Sequence, residues 1–137
     1  LDRTTEKTVP AVERVLDRDQ IIAMRETVRG IPIAREVQDH AIHIVMATHP
    51  ESPDAAPMTK NYVRYGASPR GAQALILAGK IYALLDGRFH VSRQDVEKAA
   101  LAALRHRIIL NFEGEAEGIT TDQIVNEILE LGEKANV

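Results

Sequence analysis

The chain contains no cysteine. That excludes disulfides, thiolate metal sites and cysteine nucleophiles, and it fits a reducing compartment. Tryptophan is absent as well, and three tyrosines and two phenylalanines are the only aromatics. So few rings make no platform on which nucleic-acid bases could stack. No apolar run is long enough to suggest a membrane span, and no secretory leader is expected from the residues given. Charge of neither sign dominates. The 17 Lys and Arg against 20 Asp and Glu leave a net charge of −3, which draws the domain strongly to neither nucleic acid nor anionic membrane. There is no Ser/His/Asp arrangement and no close carboxylate pair in an apolar setting.

What is there is apolar and periodic. Hydrophobic residues make up 45% of 137 residues, enough for one domain with a real core. The first residue is Leu rather than Met, so a piece of a longer chain is expected. Residues 1–16 carry no period and include Pro10; they read as an extended lead-in to a helical domain over 17–137. Asp17-Arg18-Asp19-Gln20 is a capping-box variant. It opens a helix with Ile21, Met24 and Val28 on one face and Gly30 as its stop. Pro32 restarts a helix at its first turn, with Ile33, Val37, Ala41, Ile44 and Val45 at helical spacing up to His49-Pro50.

Residues 50–67 hold three of the six prolines and read as a long loop. Ser68-Pro69 then caps and opens a third helix. Its inner face is expected from Leu75, Ala78, Ile81, Tyr82 and Leu85, and its nearly all-round apolar pattern predicts the most buried helix of the fold. Asp86-Gly87 ends it. Ser92-Arg93-Gln94-Asp95 caps a fourth helix lined by Val96, Ala99, Ala100, Ala103, Leu104 and Ile108. A loop over 111–119 carries Glu113, Glu115 and Glu117, a solvated turn. Thr120-Thr121-Asp122-Gln123 caps a fifth helix with Ile124, Ile128 and Leu131. Phe89-His90-Val91 and Gly118-Ile119 are short apolar pieces that could pair as a two-stranded edge. The fold class is therefore all-α, a compact domain of about five helices with at most a minimal two-stranded edge.

One stretch raises a functional question. Gly66-Ala67-Ser68-Pro69-Arg70-Gly71-Ala72-Gln73 has two glycines five apart after Tyr62-Val63-Arg64-Tyr65, a short run that could be a strand. It is not a phosphate-binding P-loop. That loop needs Lys and Ser or Thr after its second Gly, where this chain has Ala72 and Gln73, and Pro69 removes a backbone donor. Arg70 falls in the first turn of the third helix, where a cation opposes the helix dipole by about 0.3–1 kcal/mol. That cost disappears if an anion binds there. Elsewhere, Glu36, His40 and His43 lie at helical spacing on the second helix, but no fourth ligand is near and a metal site is not expected. Arg105-His106-Arg107 stands near the end of the fourth helix, where cations suit the dipole.

Taken together, these segments resemble the lid domain of a MoxR-type AAA+ ATPase. The residues that carry the resemblance are Tyr65-Gly66-Ala67-Ser68-Pro69-Arg70 and the Ala/Leu helix ending in Asp86-Gly87-Arg88. They continue with Val91-Ser92-Arg93-Gln94-Asp95-Val96, Leu104-Arg105-His106-Arg107-Ile108 and Glu117-Gly118-Ile119-Thr120. Residues 16–48 look like the two leading lid helices, so the resemblance covers nearly the whole chain. It implies that Ala67-Ser68-Pro69-Arg70 is the second sensor, with Arg70 reaching the γ-phosphate of ATP and Ala67, Ser68 and Pro69 close to the nucleotide. The family often has Ala after that Arg; Gly71 here slightly weakens helix propensity.

The P-loop, Walker B carboxylates, first sensor and arginine finger belong to a large domain that this chain lacks, and residues 1–16 would be the linker from it. The resemblance thus implies no ATPase activity and no cofactor for the isolated chain, with ATP and Mg used by the full-length parent. It further implies a cytoplasmic, hexameric ring engaged in chaperone-like remodelling, with von Willebrand A-domain proteins among its partners and neither nucleic acid nor membrane. Arg105 and Arg107 would contact a neighbouring domain or subunit. A second reading stays open, a free-standing helical protein–protein interaction module with no nucleotide role. A third, a helical DNA-binding domain, is disfavoured by the net charge and the lack of a basic recognition helix.

Overall fold

The three capping boxes legible in the sequence all close. Asp17 and Gln20 exchange side-chain and backbone hydrogen bonds at 2.8 Å each, and Ser92 with Asp95 and Thr120 with Gln123 do the same. The computed structural model describes residues 13–134. In chain order the helices are α1 (Arg18–Gly30), α2 (Arg35–Met46), α3 (Pro57–Tyr62), α4 (Pro69–Leu85), α5 (Arg93–Leu104), α6 (Phe112–Ala116) and α7 (Thr121–Lys134). Strand β1 (Val63–Tyr65) follows α3 directly, and β2 (Ile109–Leu110) lies between α5 and α6. Of the expected lead-in, residues 1–12 lie outside the described residues, and 13–16 form neither helix nor strand.

The five expected helices are present, and α3 and α6 are additions in spans that read as loops. Neither has an apolar period. One first-turn amide of α3 is satisfied from far away, since Met58 N donates to Glu127 Oε2 of α7 at 2.8 Å. The start of α6 is held by Asn111, whose Oδ1 accepts from Gly114 N at 2.8 Å. Helix α2 starts at Arg35 rather than at Pro32. Ala34 is its N-cap, and its buried face of Val37, Ala41, Ile44 and Val45 begins only beyond that point.

The two-stranded edge exists, but between other segments. β1 pairs antiparallel with β2, Val63 opposite Leu110 and Tyr65 opposite Ile109. The expected partners are occupied with ending helices. Gly87 at φ +71° closes α4, with Gly87 N bonded to Leu84 O and Arg88 N to Ala83 O. Gly118 at φ +70° closes α6 in the same way, with Ile119 N bonded to Gly114 O. Both are Schellman endings, which require a left-handed residue and therefore favour Gly. The chain before Phe89 and the Gly118-Ile119 pair are thus committed to caps rather than to a ladder.

The most buried helix is α5, not α4. Val96, Ala100 and Leu104 are wholly inaccessible, and Asp95, Ala99 and Ala103 are also buried. The buried row of α4 is Gly71, Leu75, Gly79 and Ala83. These positions are four apart, and three of the four are small, so α5 can approach closely. The larger residues turn away, leaving the expected inner residues Ile81 and Leu85 44% and 77% exposed. Helix α1 lies against that outer side of α4 and buries none of its own residues. The core is completed by Ile44, Ile124, Val125 and Ile128.

An ion pair joins the end of α4 to the start of α5. Arg88 donates to both Asp95 oxygens at 2.7 and 2.9 Å and to Asp86 at 3.0 Å. Asp95 is 3% exposed and also accepts from Ser92 N and Ser92 Oγ at 2.8 Å. This donor set holds its carboxyl well below the usual carboxylate range, Arg88 contributing most.

Ser68 departs from expectation. It is the N-cap of α4 by position, yet its side chain accepts no capping hydrogen bond. A working Ser cap is worth about 1 kcal/mol, so Ser68→Ala is expected to leave the melting temperature nearly unchanged. A thermal melt of the variant beside the parent chain checks this; a loss of the full cap value would show that the hydroxyl is engaged in solution.

Candidate functional site

The stretch Gly66 to Arg70 runs from the end of β1 into the first turn of α4. It is fastened by the two residues that follow the α2 terminus. Thr48 is fully buried; its Oγ1 accepts from Ala67 N at 2.9 Å and donates to Val45 O at 2.6 Å. A ring nitrogen of His49, Nε2, lies 2.9 Å from Ala67 O. A carbonyl oxygen only accepts, so Nε2 carries the hydrogen. The other edge of the ring, Nδ1, faces the Glu51 carboxylate at 3.4 Å. Ala67, itself inaccessible, therefore has both backbone groups held by side chains from one turn.

Gly66 makes this approach possible. A Cβ there would stand 2.6 Å from Thr48 O, 2.7 Å from Thr48 Oγ1 and 2.8 Å from His49 Cγ. Gly71 is also packed tightly. A Cβ would lie 3.0 Å from Leu104 Cδ2 of α5, so glycine in place of the family's alanine lets α4 lie close to α5 at its first turn.

Beyond this fastening the chain opens outward. Ser68, Pro69 and Arg70 are exposed, and Arg70 makes no hydrogen bond or ion pair among the described residues. The Ser68 side chain caps no amide of α4; Pro69 has no N–H and Gly71 N is bonded to Ser68 O at 2.7 Å, so the charge offered at this helix start is the Arg70 guanidinium. Beside the helix start an apolar groove of about 430 Å³ is lined by Ile42, Val45, Met46, Pro69 and Ala72, with His49 and Ala67. An unpaired guanidinium at a helix start with an adjoining apolar groove suits an anionic group carried on an apolar body.

The other residues singled out in the sequence lie elsewhere. Arg105 pairs with Asp122 at 3.0 Å. Arg107 donates to Ala103 O at 2.6 Å and touches His106. These partners tie the Arg105–Arg107 turn to α7 and α5, and none of them involves Arg70. His40 Nε2 meets Glu97 Oε1 at 2.8 Å, linking α2 to α5, and His43 faces Asp54 at 3.6 Å. Glu36 is exposed. No group of three or more His, Cys, Asp or Glu able to hold a metal occurs among the described residues. The glutamates at 113–117 are not all idle, because Tyr62 OH donates to Glu117 at 2.9 Å, and that bond raises the Tyr62 phenol above its ordinary value. No helix among the described residues is long and apolar enough to cross a membrane.

Sequence reasoning missed Thr48 and His49. They read only as the end of a helix before Pro50, because nothing local shows a contact made 18 and 19 residues away.

The family model of the AAA lid domain matches residues 55–128, more than half of the chain. The chain belongs to the AAA lid domain family. It is 28% identical over 123 residues to the chaperone MoxR1 of Mycobacterium tuberculosis, covering 90% of this chain and 33% of that protein. It is 32% identical over 123 residues to the uncharacterized protein YeaC of Bacillus subtilis, covering 88% of this chain and 35% of that protein. Among solved structures, a candidate ATPase from Cytophaga hutchinsonii superposes with a TM-score of 0.81 at 31% identity, over 93% of this chain and 39% of that one. The chain spans about a third of the length of the curated relatives it matches.

Proposed function

We propose that this lid closes over ATP held by the larger AAA+ domain of a parent protein, and that Arg70 is its second sensor, directed at the γ-phosphate. The observation that carries this is the contrast between an exposed, unpartnered Arg70 and the rigid fastening of Ala67 three residues before it. A guanidinium in a first turn opposes the dipole unless an anion is present, and a fixed cation acts most strongly where charge develops in the transition state. The phosphate class suits the Arg70 guanidinium, which can engage two phosphate oxygens. Mg would be held by the larger domain and by ATP, and would neutralise phosphate charge there.

The rest of the reading follows the family. The parent would be a cytoplasmic ring of identical subunits that spends ATP hydrolysis on remodelling or assembling partner proteins, von Willebrand A-domain proteins among them. Arg105 and Arg107 would lie towards a neighbouring domain or subunit. One observation favours a different reading, an interaction module without a nucleotide role: Ile21, Met24, Leu77 and Ile81 are all exposed along the groove between α1 and α4.

The test is steady-state ATP turnover by the parent protein. Arg70→Ala is expected to lower it at least about tenfold, equivalent to about 1.4 kcal/mol. The melting temperature of the present chain should hardly move, since Arg70 is exposed. Arg70→Lys should restore only part, because an ammonium lacks the fork that engages two phosphate oxygens. Wild-type turnover in a folded Arg70→Ala protein would discard the second-sensor assignment and leave the interaction module as the better account.

A further inference from the structure

We infer that His49 is a positioning residue for Arg70, fixing the direction in which α4 presents it; this rests on the second-sensor reading above. The inference starts from the geometry at Ala67. Its N–H and C=O are held by Thr48 and His49, adjacent residues beyond the end of α2. The two contacts differ in kind. Thr48 is wholly buried and its hydroxyl also closes the α2 terminus on Val45, so it serves the fold as well as the segment. His49 is partly exposed, and its contacts reach outward, Nε2 to Ala67 O and Nδ1 towards Glu51 Oε1. Its ring also lines the groove beside Pro69.

What His49 restrains is the carbonyl immediately before Ser68, the residue from which α4 departs. Pro69 at N1 removes a donor and fixes φ there, and Ser68 adds no side-chain cap. The orientation of the first turn is therefore left to the peptide between Ala67 and Ser68. Freeing that carbonyl lets the peptide rotate and swings the base of Arg70, three residues on, without unpacking Leu75 or Leu104. A positioning error of about 1 Å can cost on the order of a hundredfold in rate. Releasing one anchor of two should cost less, about three- to tenfold.

The experiment has two arms. In the present chain, amide hydrogen exchange is followed by NMR for His49→Leu and His49→Gln. Leu cannot donate, whereas the Gln amide can reach the place of Nε2. Faster exchange and shift changes confined to 66–71 are expected for Leu and reversed for Gln, with α5 amides unaltered. In the parent protein, His49→Leu should lower kcat for ATP with little change in KM, and His49→Gln should recover it. With Arg70→Ala already present, His49→Leu should have no further effect, because both act through one group.

Turnover unchanged by His49→Leu while Arg70→Ala is impaired would overturn this inference and leave the second-sensor reading intact. So would additive losses in the double variant. Wild-type turnover in Arg70→Ala would remove the reading itself, and the inference with it. If His49→Leu does not fold, His49→Asn replaces it as a polar side chain too short to reach Ala67 O. It is expected to behave as Leu in both arms, and behaviour like wild type would overturn the inference.

Discussion

Asp95→Ala is expected to destabilise the chain by about 3 kcal/mol, the lower end of the cost of breaking a buried ion pair, and to lower the melting temperature by roughly 10 °C for a domain of this size. Asp95 is buried at the first turn of α5, with four hydrogen bonds converging on its carboxylate from Arg88 and Ser92. Removing it strands Ser92 N–H and breaks the capping box. It also takes from Arg88 the partner that joins the α4 terminus to α5. The lower end applies because the Arg88 side chain is 32% exposed and can turn to water. Asp95→Asn should recover part, since an amide oxygen still caps but carries no charge.

The same site shapes the acid limb of the stability curve. Its carboxyl titrates below the ordinary range when folded and near 3.9 when unfolded. The unfolded chain thus takes up the proton first, and stability falls as pH falls. The contribution of Asp95 is complete above about pH 5 and is lost progressively below it. Denaturant melts across that range should show a shallower slope in Asp95→Asn than in the parent chain. Equal slopes would show that Asp95 is not coupled to Arg88 in solution.

Gly66→Ala is the second large effect, expected at about 1–3 kcal/mol, the usual cost of overpacking a tight site. The added Cβ would stand at 2.6–2.8 Å from Thr48 O, Thr48 Oγ1 and His49 Cγ. Thr48 O is main chain and Thr48 is inaccessible, so relief must come from moving the turn after α2 or the segment before Ser68. Either movement loosens the hold on Ala67. In the parent protein, ATP turnover should therefore fall beyond what the loss of folded protein explains. Gly30→Ala is the control. Its Cβ meets nothing within 4 Å, and in a helix Ala exceeds Gly by up to about 1 kcal/mol. Calorimetry on both variants separates crowding at Gly66 from a generic glycine effect. An unchanged melt for Gly66→Ala would show that the turn yields without cost.

How much was legible follows the range of each interaction. The Asp17, Ser92 and Thr120 caps are exchanges over three residues, and all three form. Gly87 ends α4 as read, and the Gly66–Arg70 motif lies at the mouth of α4 as its resemblance implied. Helices α3 and α6 were not legible. One is anchored by Glu127, 69 residues from Met58, and the other carries Phe112, which faces solvent and gives no period. The inner face of α4 was misread for a related reason. With apolar residues nearly all round, hydrophobicity cannot say which side faces α5, and close approach selected the Gly71, Leu75, Gly79, Ala83 row because small residues permit it.

By itself, then, the sequence determined an all-α domain, the starts of α1, α5 and α7, and an arginine in the first turn of α4, since each depends on chemistry between near neighbours. Only the tertiary structure decided which strands pair, which face of α4 is buried, and that Thr48 and His49 grip Ala67. Those outcomes depend on groups brought together across loops, where volume and the need to satisfy every buried N–H and C=O choose among partners that local pattern leaves equivalent.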